Sequence, residues 1–135
     1  MKNDYLCPHC RGHLRVQEYI VLLARAKREK KGLIFLSPEL GDYGYKTHPT
    51  FKIEKGKYID FFCPICHANL AAKDITNNLA RIIMVEENGD ESILLFSEIA
   101  GEKCTYVVHE DDVDAFGEDS NHYMNFFGES PRYQS

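Results

Sequence analysis

The sequence predicts a mainly β protein, a series of β-hairpins that carry two metal-binding knuckles, with a short helical stretch toward the C-terminus. Three observations lead to that fold class. Cys7-Pro8-His9-Cys10 and Cys63-Pro64-Ile65-Cys66 repeat the pattern Cys-Pro-x-Cys in a chain of 135 residues that has only one other cysteine, Cys104. Short runs rich in β-branched and aromatic residues recur between Gly, Pro, Asn and Asp turns, a pattern of strands rather than of long helices. The acidic run Glu110-Asp111-Asp112-Val113-Asp114-Ala115-Phe116 can open a short helix, because acids in a first turn face the positive end of the helix dipole.

In chain order, the first knuckle is followed by Tyr19-Ile20-Val21-Leu22-Leu23-Ala24, a charged tip ending at Gly32, and Leu33-Ile34-Phe35-Leu36. These segments predict a hairpin. The competing reading is a helix from about Glu18 to Lys31 with Gly32 as its C-cap, and the β-branched content favours the hairpin. Ser37 to Gly44 is a loop by its Pro and Gly content, and His48-Pro49 continues it. Phe51-Lys52-Ile53-Glu54, a Lys55-Gly56 turn and Lys57 to Phe62 predict a second hairpin that runs into Cys63. Ala68 to Asn78 is expected to be loop or short helix. Arg81 to Val85, the turn Glu87-Asn88-Gly89-Asp90 and Ser92 to Phe96 form the clearest hairpin, with Asn-Gly supplying the positive φ of a tight turn. Thr105 to Val108 adds a strand, and Tyr123 to Phe127 a further turn. Residues 1–128 are expected to form a single domain and residues 129–135 a loose tail.

Composition bounds the function classes. Apolar residues make up 44% of the chain and charged residues 27%, values of an ordinary globular protein. The start has no apolar run suited to a signal peptide, and no stretch approaches the roughly 20 apolar residues of a membrane span. A soluble, cytoplasmic protein without a membrane partner is expected. In a reducing compartment, paired Cys-x-x-Cys motifs point to metal ligands rather than disulfides. The net charge of −5 divides into +6 over residues 1–85 and −11 over residues 86–135. The run Arg25-Ala26-Lys27-Arg28-Glu29-Lys30-Lys31 could meet a phosphate backbone, but the acidic half opposes nucleic acid, and a solvated hairpin tip has the same composition.

The two knuckles align beyond their cysteines. Cys7-Pro8-His9-Cys10-Arg11-Gly12-His13-Leu14 matches Cys63-Pro64-Ile65-Cys66-His67-Ala68-Asn69-Leu70, with small residues at Gly12 and Ala68 and leucines at Leu14 and Leu70. This pseudo-symmetry resembles the zinc-ribbon and rubredoxin-like folds, in which two knuckles on two β-hairpins hold one metal. The resemblance covers some twenty residues and implies a single site with Cys7, Cys10, Cys63 and Cys66 as ligands. Zinc is preferred, because it accepts tetrahedral thiolates without redox chemistry. Iron is the alternative and would imply an electron carrier, although rubredoxins place glycine after the second cysteine of each knuckle, where this chain has Arg11 and His67.

Other candidates carry blander readings. Cys-Pro-His-Cys resembles the active-site tetrapeptide of a thiol oxidant of the thioredoxin superfamily, but no strand precedes it here. His9, His13 and His67 are expected to be exposed turn residues once four thiolates fill the metal's shell. His48, His109 and His122 lack a partner motif. Cys104, beside Lys103 and near His109, is expected to be a small buried hydrophobe rather than a nucleophile. The acids from Glu110 to Asp114 lack the spaced ligands and central glycine of a calcium loop. No catalytic constellation competes with the knuckles. The function expected is that of a small zinc-binding protein with a structural four-cysteine site, a binding or adaptor module for a protein partner. The alternatives are a rubredoxin-like iron carrier or thiol-redox enzyme, and a nucleic-acid-binding ribbon.

Overall fold

Alternating burial along Tyr19–Ala26, with Ile20, Leu22 and Ala24 inside, has the period of two that a strand requires. This strand, β3, is the centre of one sheet. The computed structural model describes residues 3–26, 31–110, 112–121 and 132–133, and among them the protein is mainly β with almost no helix. On one side β3 pairs antiparallel with β4 (Gly32–Leu36), which pairs in turn with β5 (Tyr45–Thr47). Along its other side lie, end to end, β2 (Arg15–Val16) and β6 (Ile59–Phe62). The expected first hairpin is therefore formed, and the helical alternative over residues 18–31 does not describe Tyr19–Ala26.

The second sheet has the order β1 (Asp4–Leu6), β7 (Leu79–Val85), β8 (Glu91–Ser97), β9 (Thr105–His109), β10 (Asp112–Phe116) and β11 (Arg132–Tyr133). All its pairings are antiparallel except that of β10 with β11. The β7–β8 hairpin turns through Gly89, whose φ of +92° is the left-handed conformation that the Asn-Gly pair predicts. Glu86 N–H donates to Asp90 O across the turn at 2.9 Å.

Two expectations need correction. Residues 51–54 form no strand, so there is no hairpin between them and residues 57–62. β6 pairs instead with β3, Leu23 opposite Phe62, and the segment just before it meets the end of β8, with Ile59 N–H donating to Glu98 O at 2.6 Å and Ala100 N–H to Lys57 O at 2.9 Å. Phe51 and Ile53 pack on the core from a loop. The helix expected from Glu110 is replaced by β10, in which Ala115 is buried and Asp112 exposed. The expected turn at Tyr123 to Phe127 lies outside the described residues, as does most of residues 129–135.

The inner faces of the two sheets share one core, which joins Leu22, Ala24 and Ile34 to Ile82, Met84 and Leu94. On the opposite face of the second sheet, Leu79, Leu95, Cys104 and Tyr106 form a smaller cluster with Ala72. Leu94 and Leu95 serve different cores because successive strand residues point to opposite faces. No helix among the described residues is long and apolar enough to cross a membrane.

Candidate metal centre

Each knuckle sits where the chain passes from one sheet to the other. The first leads from β1 into β2, and the second leads out of β6 toward β7. The two crossings run in opposite directions, which brings the knuckles face to face.

Their backbones are built alike. Cys7 N–H donates to Gly12 O at 3.0 Å and Arg11 N–H to Cys7 O at 2.8 Å; the counterparts are Cys63 N–H to Ala68 O at 3.0 Å and His67 N–H to Cys63 O at 2.9 Å. Bridges between Leu6 and His13 and between Phe62 and Asn69 close the two turns. Burial also repeats residue for residue from Tyr5 to Leu14 and from Phe61 to Leu70. In both knuckles the first cysteine is buried and the second exposed.

Arg11 and His67 have φ of +58° and +66°, a left-handed conformation that costs a non-glycine residue about 1–2 kcal/mol. These are the positions at which the rubredoxin pattern has glycine. The backbone conformation is thus present without the residue that adopts it most easily. Gly12 leaves room of another kind: a Cβ there would displace the exposed end of Ile65 in the facing knuckle and would lie 3.3 Å from Cys10 Sγ.

The four sulfurs converge. Cys7 Sγ is 3.8 Å from Cys66 Sγ, and Cys10 Sγ is 3.8 Å from Cys63 Sγ. All four lie within 4.8 Å of one another, a grouping that could hold a metal ion. A tetrahedron with metal–sulfur bonds of about 2.3 Å has edges of about 3.8 Å. Backbone donors point at the sulfurs: His9 and Cys10 N–H at Cys7 Sγ (3.3 and 3.5 Å), Ile65 and Cys66 N–H at Cys63 Sγ (3.3 and 3.4 Å), and Gly12 N–H at Cys10 Sγ (3.3 Å). Such donors disperse the negative charge of thiolates.

Burial pushes the Cys7 thiol up to about 12 and raises that of Cys63, whereas the Ala68 N–H lowers that of the exposed Cys66. Without a cation the two inner sulfurs hold their protons near neutrality. A metal would replace them and accept the four sulfurs as thiolates.

The other sequence candidates lie apart from this group. His13 Nδ1 is 2.6 Å from Asp4 Oδ2, His48 Nδ1 is 2.8 Å from Thr50 Oγ1, and none of His9, His13 and His67 belongs to the metal-holding set. His122 lies outside the described residues. Cys104 is fully buried, and desolvation pushes its thiol well above the ordinary range, aided by Glu102. At the basic tip, Arg25 pairs with Asp60 at 3.2 Å and Lys31 Nζ stands 4.1 Å over the Phe62 ring; residues 27–30 lie outside the described residues.

Glu98 is a feature that the sequence reading missed. It follows β8 directly, is fully buried, and accepts a hydrogen bond from Tyr58 OH at 2.9 Å. Nothing periodic marks it, since Ser97-Glu98-Ile99 reads as an ordinary strand end.

Comparison with known proteins adds no relative: no protein-family model, curated protein or solved structure matches the chain.

Proposed function

We propose that Cys7, Cys10, Cys63 and Cys66 bind a single zinc ion, and that this ion is the structural clip of a small binding or adaptor module acting on a protein partner. The observation that carries the reading is the convergence of four sulfurs within 4.8 Å of one another, two of the separations being 3.8 Å. An ion held there ties together the two crossings between the sheets. Zinc suits the site because it needs no particular d-electron geometry and because four thiolates leave no open position for catalysis. Cross-linking a loop of about 60 residues removes about 4 kcal/mol of unfolded-chain entropy on the loop-closure model, a large part of a small domain's stability. The five cysteines, all free, suit a reducing compartment such as the cytoplasm.

A second reading is a rubredoxin-like iron site that carries one electron. It is favoured by the left-handed φ of Arg11 and His67, which keeps the knuckle conformation that glycine serves in rubredoxins, and by the exposure of Cys10 and Cys66, which gives an electron a route out. Metal analysis together with the absorption spectrum of protein purified without added metal separates the readings. Colourless protein with one zinc per chain supports the structural clip, and red protein with one iron supports electron transfer. Protein with neither metal at this site overturns both.

A further inference from the structure

Where the chain leaves β4 and β8, a pocket of about 200 Å³ lies between the two sheets. Its accessible wall is apolar and comes from both sheets and the loops beside them: Leu36, Leu40, Ile53, Phe96 and Ala100 are partly buried around it. Protein interiors are packed as densely as organic crystals, so apolar side chains around a space of this size lack contacts on one side. The volume exceeds the roughly 150 Å³ of an apolar cavity that admits benzene. It falls short of the roughly 300–1,000 Å³ of pockets for drug-sized ligands.

The loop from Ser37 to Gly44 forms one side of the pocket and is tied to the second sheet by two tyrosine hydroxyls. Tyr5 OH in β1 donates to Pro38 O at 2.6 Å, and Tyr43 OH donates to Phe116 O of β10 at 3.1 Å and lies 3.0 Å from Thr105 Oγ1. Ser97 Oγ donates to Glu102 Oε1 at 2.6 Å, and Ser37 Oγ accepts from Glu39 N–H at 3.3 Å. Every buried or partly buried hydroxyl of the lining thus has a partner within the protein. An ordered water needs about two to four polar partners, and these hydroxyls are already engaged. At the rim, Glu39 and Asp42 are exposed and Glu102 partly so, and the Lys103 ammonium lies 4.0 Å from Glu118.

We propose that this pocket binds a small uncharged hydrophobic molecule, with a single aromatic ring or a short alkyl body seated among Leu36, Ile53 and Phe96. Burial of apolar surface drives the binding, and the volume limits the ligand to about one substituted ring. An organic anion would bring its charge beside Glu39, Asp42 and Glu102. An ammonium carried inward would lose its water without a partner, and one left at the exposed rim would be attracted only weakly by carboxylates in water. The site goes beyond the metal reading and does not depend on it.

The test uses the full chain as purified, with toluene and indole as probes and phenylacetate and phenethylamine as charged comparisons. Methyl NMR and thermal shift are the readouts. Toluene and indole should move the methyl signals of Leu36, Leu40 and Ile53 to saturation at one molecule per chain and raise Tm with concentration. The two charged compounds should bind about tenfold more weakly or less. Leu40→Trp and Ala100→Leu each fill the pocket from a partly buried position and should weaken toluene about tenfold or more, and either serves if the other folds poorly by circular dichroism. Three results would overturn the proposal: pocket signals that stay unmoved or shifts centred instead on Val16 and Leu33, exposed on the outer face of the first sheet; charged compounds that bind as tightly as toluene; or toluene affinity unchanged in a folded variant.

Discussion

Replacing Glu98 by Gln should change how stability depends on pH. In the fold, burial raises this carboxyl from its ordinary 4.5 to about 7. Between those two values the folded chain keeps a proton that the unfolded chain has released. The stabilisation tied to that proton is fully present below 4.5 and is lost as pH rises through about 7. The whole span corresponds to about 3 kcal/mol, and the part falling between pH 6 and pH 8 to about 1 kcal/mol. Gln keeps an acceptor for Tyr58 and removes the titration. It also places an amide N–H₂ where Oε2 lacks a partner, at a fixed cost of about 1–3 kcal/mol that does not vary with pH. The informative quantity is therefore the slope. Urea denaturation of parent and variant at several values from pH 6 to pH 8 should show the parent losing about 1 kcal/mol more than the variant. Parallel curves over that range would refute the claim that Glu98 is held protonated by burial.

Three further outcomes are expected. Cys63→Ser removes one of the four converging sulfurs and, on the zinc reading, should sharply reduce both zinc content and Tm, since zinc binding to such sites contributes on the order of 10 kcal/mol; Cys104→Ser should leave zinc content unchanged, and Cys104 should react with a thiol reagent only after unfolding. Gly12→Val should weaken metal binding in a competition titration with a chelator, because its side chain would collide with Ile65, and Ile65→Ala in the same chain should restore much of the affinity. His67→Gly should stabilise the protein by about 1 kcal/mol in a denaturant titration, because glycine adopts the φ of +66° without the cost borne by histidine.

Features that local chemistry writes into adjacent residues were legible in the sequence. The knuckles declare themselves by cysteine spacing, the β7–β8 hairpin by Asn88-Gly89, and β3 by the β-branched and aromatic residues at its start. Features set by distant partners were not. The segment Phe51 to Glu54 alternates apolar and charged residues as well as any strand, yet β3 offers β6 a longer and more apolar edge, and Phe51 and Ile53 reach the core from a loop. The run Asp112 to Phe116 has enough acids to open a helix, but its alternation of Val113 and Ala115 with acids fits the free edge of β9 better. Glu98 was invisible because a lone acid after a strand looks solvated until the segment at β6, from the other sheet, meets it. The convergence of the knuckles could be anticipated from their repeat, whereas their placement at opposite crossings between two sheets depends on pairings between β1 and β7 and between β3 and β6 that no local pattern encodes.

Zinc K-edge X-ray absorption on the protein as purified tests the shared four-cysteine site most directly, because it counts the ligands around the ion. Four sulfur neighbours at about 2.3 Å, with one zinc per chain, is the predicted result. Two sulfurs completed by nitrogen or oxygen ligands, or a chain that carries no metal and melts unchanged after chelation, would contradict it.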